Sequence, residues 1–390
     1  MIIYPKRVVK VLFYSIIFFA LIKPDSLEHI GLKWMDTTLI VIDGMLMVIM
    51  SWFALIKKYR ISLTTIIIFL IYFIIGLSTL FGTRDFFSLI KVAGTAIGAG
   101  MFTDFCLQKD SKLYFQSSIL TLLILFTINL FTIIKYYPVG MYRLDYVVGD
   151  LYFMGHDNGM IYNLIPLCAL SFIYSYSTKR KFWTFISIYS VFITLFSEFY
   201  VKSATGILST IILIIMLLLL DKKILNKILN PKLLFSSFLI LCFLLVFLRI
   251  QNYFSWLFVD ILGKDLTFTG RTYLWDYAIS LIKNKIFLGY GMGVNVVGNG
   301  HVYPHAHSLI LDFMFKGGLL TFIVFLSLMH NFDKKYKKSS NKTISKLILI
   351  PIAVLLFCEL TAACPYKAFF WSLFVLINYT PNIENMNGVK

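Results

Sequence analysis

Long apolar runs, broken by short basic or polar connections, dominate this chain. The runs are continuous rather than alternating, and most approach the ~20 residues an α-helix needs to cross a bilayer. Strands in lipid must close into a barrel, whose segments alternate and are shorter. The pattern therefore predicts twelve helices, over residues 8–22, 37–56, 61–81, 86–107, 112–134, 158–177, 182–198, 204–220, 233–250, 308–329, 345–361 and 366–379. The fold class is an all-α polytopic membrane protein, a single membrane domain over 1–390, with no internal repeat or Pro/Ser-rich linker to divide it. One connection, 251–307, is far longer than the few residues that join most helices. It holds aromatics, glycines and an amphipathic run, so it is expected to be a large ordered outer loop.

Composition narrows the class. The chain is 59% hydrophobic and 14% charged, against about a quarter charged in soluble domains. Its net charge of +17 would suggest nucleic acid in a soluble protein. Here the cations gather in short connections: Lys6-Arg7-Lys10, Lys57-Lys58-Arg60, Lys179-Arg180-Lys181, Lys222-Lys223 and the run 334–346. With twelve alternating spans these all fall on one face, the cytoplasmic one by the Lys/Arg bias, and no nucleic-acid partner is implied. Both termini are then cytoplasmic, and 134–157 and 251–307 face outside. The basic start and the apolar run 11–22 lack a small-residue cleavage site, which predicts a first span rather than a removed signal peptide. Five cysteines show neither paired nor metal-ligand spacing, so no disulfide or structural zinc is expected.

The outer loop carries the densest polar chemistry. Leu274, Ala278, Leu281 and Ile282 recur at helical spacing among Asp276, Lys283 and Lys285, predicting a helix on the outer surface or over the bundle. Thr269 is its candidate cap. Arg271 then falls in the first turn, where the helix dipole opposes a cation. A nearby anion would relieve that opposition, and a guanidinium beside a helix N-terminus suits phosphate or diphosphate. Contact with lipid headgroups is the other reading. Downstream stand the turn Gly289-Tyr290-Gly291-Met292-Gly293 and the segment His305-Ala306-His307-Ser308. The two histidines could be satisfied surface groups, a metal pair, or a general base. No acidic third ligand is adjacent, so no metal is expected, and a base that titrates near neutral pH is the better-suited chemistry. Asp312 and Lys316 lie on one helical face and are expected to pair, with Asp312 also able to orient the site. Gly317-Gly318 permits a kink or a close helix approach. Arg84, Lys91 and Lys367, at other predicted outer ends, either meet an anionic substrate or snorkel to lipid phosphate.

His307-Ser308, nine further residues, then Gly318-Leu319-Leu320-Thr321 resembles the His–(Asn/Ser)–nine–Gly–x–x–(Gly/Thr/Tyr) signature of bacterial O-antigen ligases and their Wzy-type polysaccharide polymerase relatives. Gly270-Arg271, Trp275, Ile282-Lys283 and Leu288-Gly289-Tyr290-Gly291 are similar to the outer-loop pattern of that superfamily, with Ile286 and Phe287 standing where a Pro is usual. The resemblance implies a GT-C-like glycosyltransferase architecture and an inverting, metal-independent enzyme without cofactor. Its implied substrates are undecaprenyl-diphosphate-linked oligosaccharides at the outer face of the bacterial cytoplasmic membrane, and its implied partners are membrane lipid, a flippase and a chain-length regulator. It places the catalytic Arg on Arg271 and the catalytic His on His307. The family's second Arg is missing from Lys202-Ser203-Ala204-Thr205-Gly206. Lys202 is either its substitute, without the bidentate fork, or an ordinary interfacial lysine. Gly155-His156-Asp157-Asn158 resembles an outer loop of Gram-positive capsular and exopolysaccharide polymerases. That adds Arg143 and His156 to His305, Asp312 and Lys202 as substrate-binding candidates, with Asn158 as a further candidate or a helix cap. The implied activity is polymerisation of lipid-linked repeat units. Ligase-type transfer of finished glycan is the second reading. A transporter or flippase is the third; intramembrane Asp43, Lys91, Asp104 and Asp312 fit it, but the missing repeat halves do not.

Overall fold

A computed structural model of the chain describes residues 5–142, 151–156, 158–222, 228–254, 256, 270–298, 300–364 and 366–387. Before the outer loop come α1 (Pro5–Ile22), α2 (Lys33–Leu55), α3 (Leu63–Phe81), α4 (Phe86–Lys109), α5 (Ser111–Tyr136), α6 (Ile161–Thr178), α7 (Lys181–Tyr200), α8 (Ala204–Leu218) and α9 (Pro231–Val246). The loop contains α10 (Arg271–Asn284). It is followed by α11 (Leu309–Lys338), α12 (Lys342–Cys358), α13 (Ala368–Leu376) and α14 (Thr380–Glu384). Two small antiparallel hairpins, β1 (Leu151–Tyr152) with β2 (Gly155–His156) and β3 (Val296–Gly298) with β4 (His301–Tyr303), decorate the connections.

Among the described residues, six helices, α2, α3, α4, α5, α7 and α11, are long and apolar enough to cross a membrane, and α8 and α9 are shorter apolar helices. The chain is thus a mostly helical multi-pass membrane protein. Every predicted apolar run coincides with helix, but the last is cut short: 366–379 gives only the nine-residue α13 and a 3-10 turn. Polar caps set several boundaries that periodicity leaves open. Ser62 accepts from Thr65 N–H, Asp110 from Leu113 N–H, and Asn341 from Ile344 N–H, each satisfying a donor the helix cannot. Asn158 is not such a cap. The N-cap of α6 is Met160, because the β2 strand holds 155–156 and a turn holds 158–160.

The break in α11 decides how the outer loop docks. Gly318 has φ 68° and ψ −168° inside this helix, so the i→i−4 ladder is interrupted there. The Gly-rich turn fills the gap: Tyr290 N–H donates to the Phe315 carbonyl (2.9 Å) and Gly291 N–H to the Lys316 carbonyl (2.8 Å). In return, Leu319 N–H donates to the Ile286 carbonyl (2.7 Å) and Leu320 N–H to that of Phe287 (3.4 Å). The same turn is held by the end of α3, where Thr79 Oγ1 accepts from Met292 N–H (2.9 Å) and Ser78 Oγ donates to the Leu288 carbonyl. Irregular backbone is tolerated near lipid only when protein satisfies it. A Cβ on Gly318 would overlap the Phe287 carbonyl and would have to adopt a conformation disfavoured for L side chains. Gly318→Ala is therefore expected to destabilise the protein by roughly 2–4 kcal/mol, seen as a lower thermal midpoint and lower folded yield in detergent. An unchanged midpoint would show that the break is not structurally required.

α10 turns its apolar face into protein. Leu274, Trp275, Ala278 and Ile282 form one buried cluster with Val246, Val296, Ala306, Leu311 and Phe315. This second core joins α9, β3 and the start of α11 beneath the loop. The five cysteines are free and buried.

Candidate active site beneath the outer loop

The segment between β4 and α11 is fixed at three points. Trp275 Nε1 donates to the His307 carbonyl (3.2 Å), Asp312 Oδ1 accepts from Ala306 N–H (3.1 Å), and Leu309 N–H donates to the Glu359 carbonyl (3.2 Å). His307 sits at φ 49°, in the left-handed region that few non-glycine residues adopt, His among the more tolerant. Such backbone persists only where the surroundings over-determine it, and the three anchors do so. The rings then meet edge to face: His305 lies 4.2 Å from His307 between centroids at 69°, and Tyr303 lies 5.2 Å from His307 at 82°. His307 Nε2 and His305 Nδ1 are shielded from solvent and have no hydrogen-bond partner among the described residues.

Burial is the main force holding the His307 imidazole well below its usual pKa, followed by the positive fields of His305, Arg271 and His156. His305 is pushed down to about 4, again chiefly by burial; Asp312 opposes the shift, and Lys316 and Arg271 reinforce it. Both rings are therefore neutral near pH 7 and able to accept a proton.

These couplings locate most of the predicted site residues. Arg271 begins α10 directly after Gly270, which is the N-cap with φ 85° and makes no side-chain cap bond. Thr269, expected to cap, lies outside the described residues, and Gly270 takes that position. Arg271, His156 and His305, from three separate segments, all lie close enough to couple electrostatically to His307. Asp312 is buried and spends both oxygens internally, on Ala306 N–H and on Lys316 Nζ at 2.7 Å. It therefore positions the histidine segment from within. Lys202 stands apart: it is exposed, in the left-handed region with φ 55°, and 5.9 Å from the Tyr137 ring. It is not among the charges acting on His307. Its neighbour Ser203 does reach the site's periphery, donating to Asn158 Oδ1 (3.1 Å) while capping α8 through Gly206 N–H. Arg143 lies outside the described residues. Lys367 is taken up by Asp25 at 2.9 Å. Among the described residues, no three His, Cys, Asp or Glu side chains are grouped as a metal site.

Two residues of the site escape sequence reading. Arg249, just past α9, places its guanidinium 5.2 Å from the Trp275 ring, donates to the Thr272 carbonyl (3.3 Å) and pairs with Asp276. It clamps the start of α10 and so carries Arg271. Its only sequence signal is a cation at an outer span end, as for Arg84. Glu359, fully buried, accepts from Cys364 N–H (3.0 Å) with its carboxyl and anchors Leu309 with its carbonyl.

Residues 189–326 match the O-antigen ligase family. The match covers about a third of the chain and supports the O-antigen ligase and Wzy-type superfamily. This is the superfamily that the 307–321 signature resembles, and the matched segment runs from α7 through the break in α11. The matched segment contains Lys202, Arg249, Arg271, His305, His307 and Asp312, whereas His156 and Arg143 come from the N-terminal part of the chain. No curated protein matches the chain.

Proposed function

We propose that this chain is an inverting polysaccharide polymerase that joins undecaprenyl-diphosphate-linked repeat units at the outer face of the bacterial cytoplasmic membrane. Twelve spans with both termini cytoplasmic would put the site on that face. What supports the proposal is that Arg271 lies near enough to His307 for its charge to act on the imidazole, with both residues inside the segment that matches the O-antigen ligase family.

The donor's anomeric carbon bears a diphosphate. As that C–O bond breaks, the electron pair leaves with the diphosphate, and Arg271 offsets the growing negative charge. Fixed charges shielded from bulk water are a large catalytic term. The acceptor hydroxyl attacks from the opposite face, forming the new glycosidic C–O bond and inverting the centre, and its proton passes to His307 Nε2. Diphosphate is a good leaving group, so a second carboxyl acid is not required. His305 packs against the base, His156 adds positive field, and Asp312 positions the segment. Arg143 and Lys202 are assigned to contacts with diphosphate or acidic sugar.

Reconstituting the purified protein with a lipid-diphosphate oligosaccharide as the sole glycan tests the reading. A ladder of lengthened lipid-linked products is expected. Transfer only when a second, chemically different acceptor is added would instead establish the ligase activity, and movement of the lipid-linked sugar across the bilayer without a new glycosidic bond would establish a flippase.

A further inference from the structure

A polymerisation step uses two lipid-diphosphate substrates, and only the donor's diphosphate lies at the bond being broken. The acceptor reacts through a hydroxyl on its glycan, so its own diphosphate must be held at the membrane surface, one oligosaccharide away. The structure holds a cleft with that character. About 370 Å³ in volume, it lies between the end of α3 and the end of α10, lined by residues that include Ser78, Phe81, Lys283, Lys285, Phe287 and Leu288. Two lysines line it, and among the described residues no Asp or Glu does. Phe81 is 74% exposed and Phe287 65%, giving an aromatic rim on the apolar side. Together these features match an anionic head on an isoprenoid tail.

The helix dipole explains a cation in the last turn of α10, which accounts for Lys283. Lys285 lies beyond that turn, with its ammonium 4.8 Å from the Tyr290 ring centroid. α10 links the cleft to the site: at ~1.5 Å per residue, Lys283 lies about 18 Å along the helix from Arg271. A cleft of similar size at the opposite end of α11 lacks this character. Of its lysines, Lys337 pairs with Asp333 at 2.6 Å, and Lys342 donates to the carbonyls of Tyr336 and Lys337.

Building on the polymerase reading, we propose that the cleft between α3 and α10 binds the diphosphate of the acceptor lipid through Lys283 and Lys285, with the polyprenyl chain along Phe81 and Phe287. α10 then acts as a spacer between donor and acceptor diphosphates, matched to a short oligosaccharide.

The test uses the full chain in phosphatidylcholine nanodiscs and a benzophenone-bearing polyprenyl diphosphate without sugar. Labelling is expected on peptides containing Phe81 or Phe287. Unlabelled undecaprenyl diphosphate should compete and phosphatidylglycerol should not, and the Lys283→Gln/Lys285→Gln variant should lose labelling about tenfold. Equal competition by phosphatidylglycerol would reassign the cleft to bulk anionic lipid and overturn the proposal. In turnover with saturating preformed chain as donor, the double variant is expected to raise the acceptor KM about tenfold with kcat nearly unchanged. A fall in kcat at constant KM would also overturn it. The two arms separate the two readings. A chain active on repeat units but unlabelled at the cleft sinks the acceptor site alone. One labelled there but inactive sinks the acceptor role together with the polymerase.

Discussion

Replacing His307 with Ala is expected to slow polymerisation by about 10³-fold, within the ~10²–10⁴ range of a positioned base, while lipid-linked donor still binds. The argument is one of geometry and state. Nε2 is shielded and partnerless among the described residues, and burial, reinforced by the Arg271 charge, keeps the ring unprotonated. An anionic diphosphate arriving beside Arg271 would reverse part of that field and make the base stronger when it is needed. The pH profile follows with a definite sign. Protonation removes the base, and the free-site pKa lies below 6.5. The acidic limb of kcat/KM should therefore fall below pH 6.5, not at or above it. Initial rates of product-ladder formation for folded wild type and variant, across pH, check both points. Full activity in a folded His307→Ala protein would remove the assignment.

Arg271→Ala is expected to cost about 10²–10³ in kcat, the scale of losing one preorganised charge that stabilises the transition state. Arg271→Lys should recover only part of it, because an ammonium supplies charge without the planar fork. The same change predicts a second readout that a purely structural role would not give. With the guanidinium gone, one of the fields that depress both histidines disappears, so their imidazole titrations should move up, measurable by NMR on ring-labelled protein. If Arg271→Ala leaves turnover intact, or lowers it without moving the histidine titrations, Arg271 does not face the base as argued.

Much of the fold was legible in the sequence because it rests on local rules. Apolar runs marked the helices, and the four-residue spacing of Asp312 and Lys316 anticipated a pair at 2.7 Å. The periodicity of Leu274, Ala278 and Ile282 gave the buried face of α10. What stayed hidden depends on contacts between distant residues. Nothing near Gly289 says that it closes a break in a helix thirty residues on, or that Asn158 holds Ser203 instead of capping a helix. The approach of His156 to His307 is likewise tertiary. Arg249 is one cation among many until its ring partner, Trp275, is seen above it. The short α13 escaped a count based on run length alone, since apolar content marks burial as readily as membrane crossing.

The backbone bonds across the interrupted helix constrain how the protein can move. Pulling the glycine turn away would strand two carbonyls and two amides of α11, each at about 1–3 kcal/mol when unsatisfied and buried. The glycine turn is thus pinned to α11. On the proposed polymerase reading, lipid-linked substrates would enter sideways from the bilayer, past a turn that stays in place.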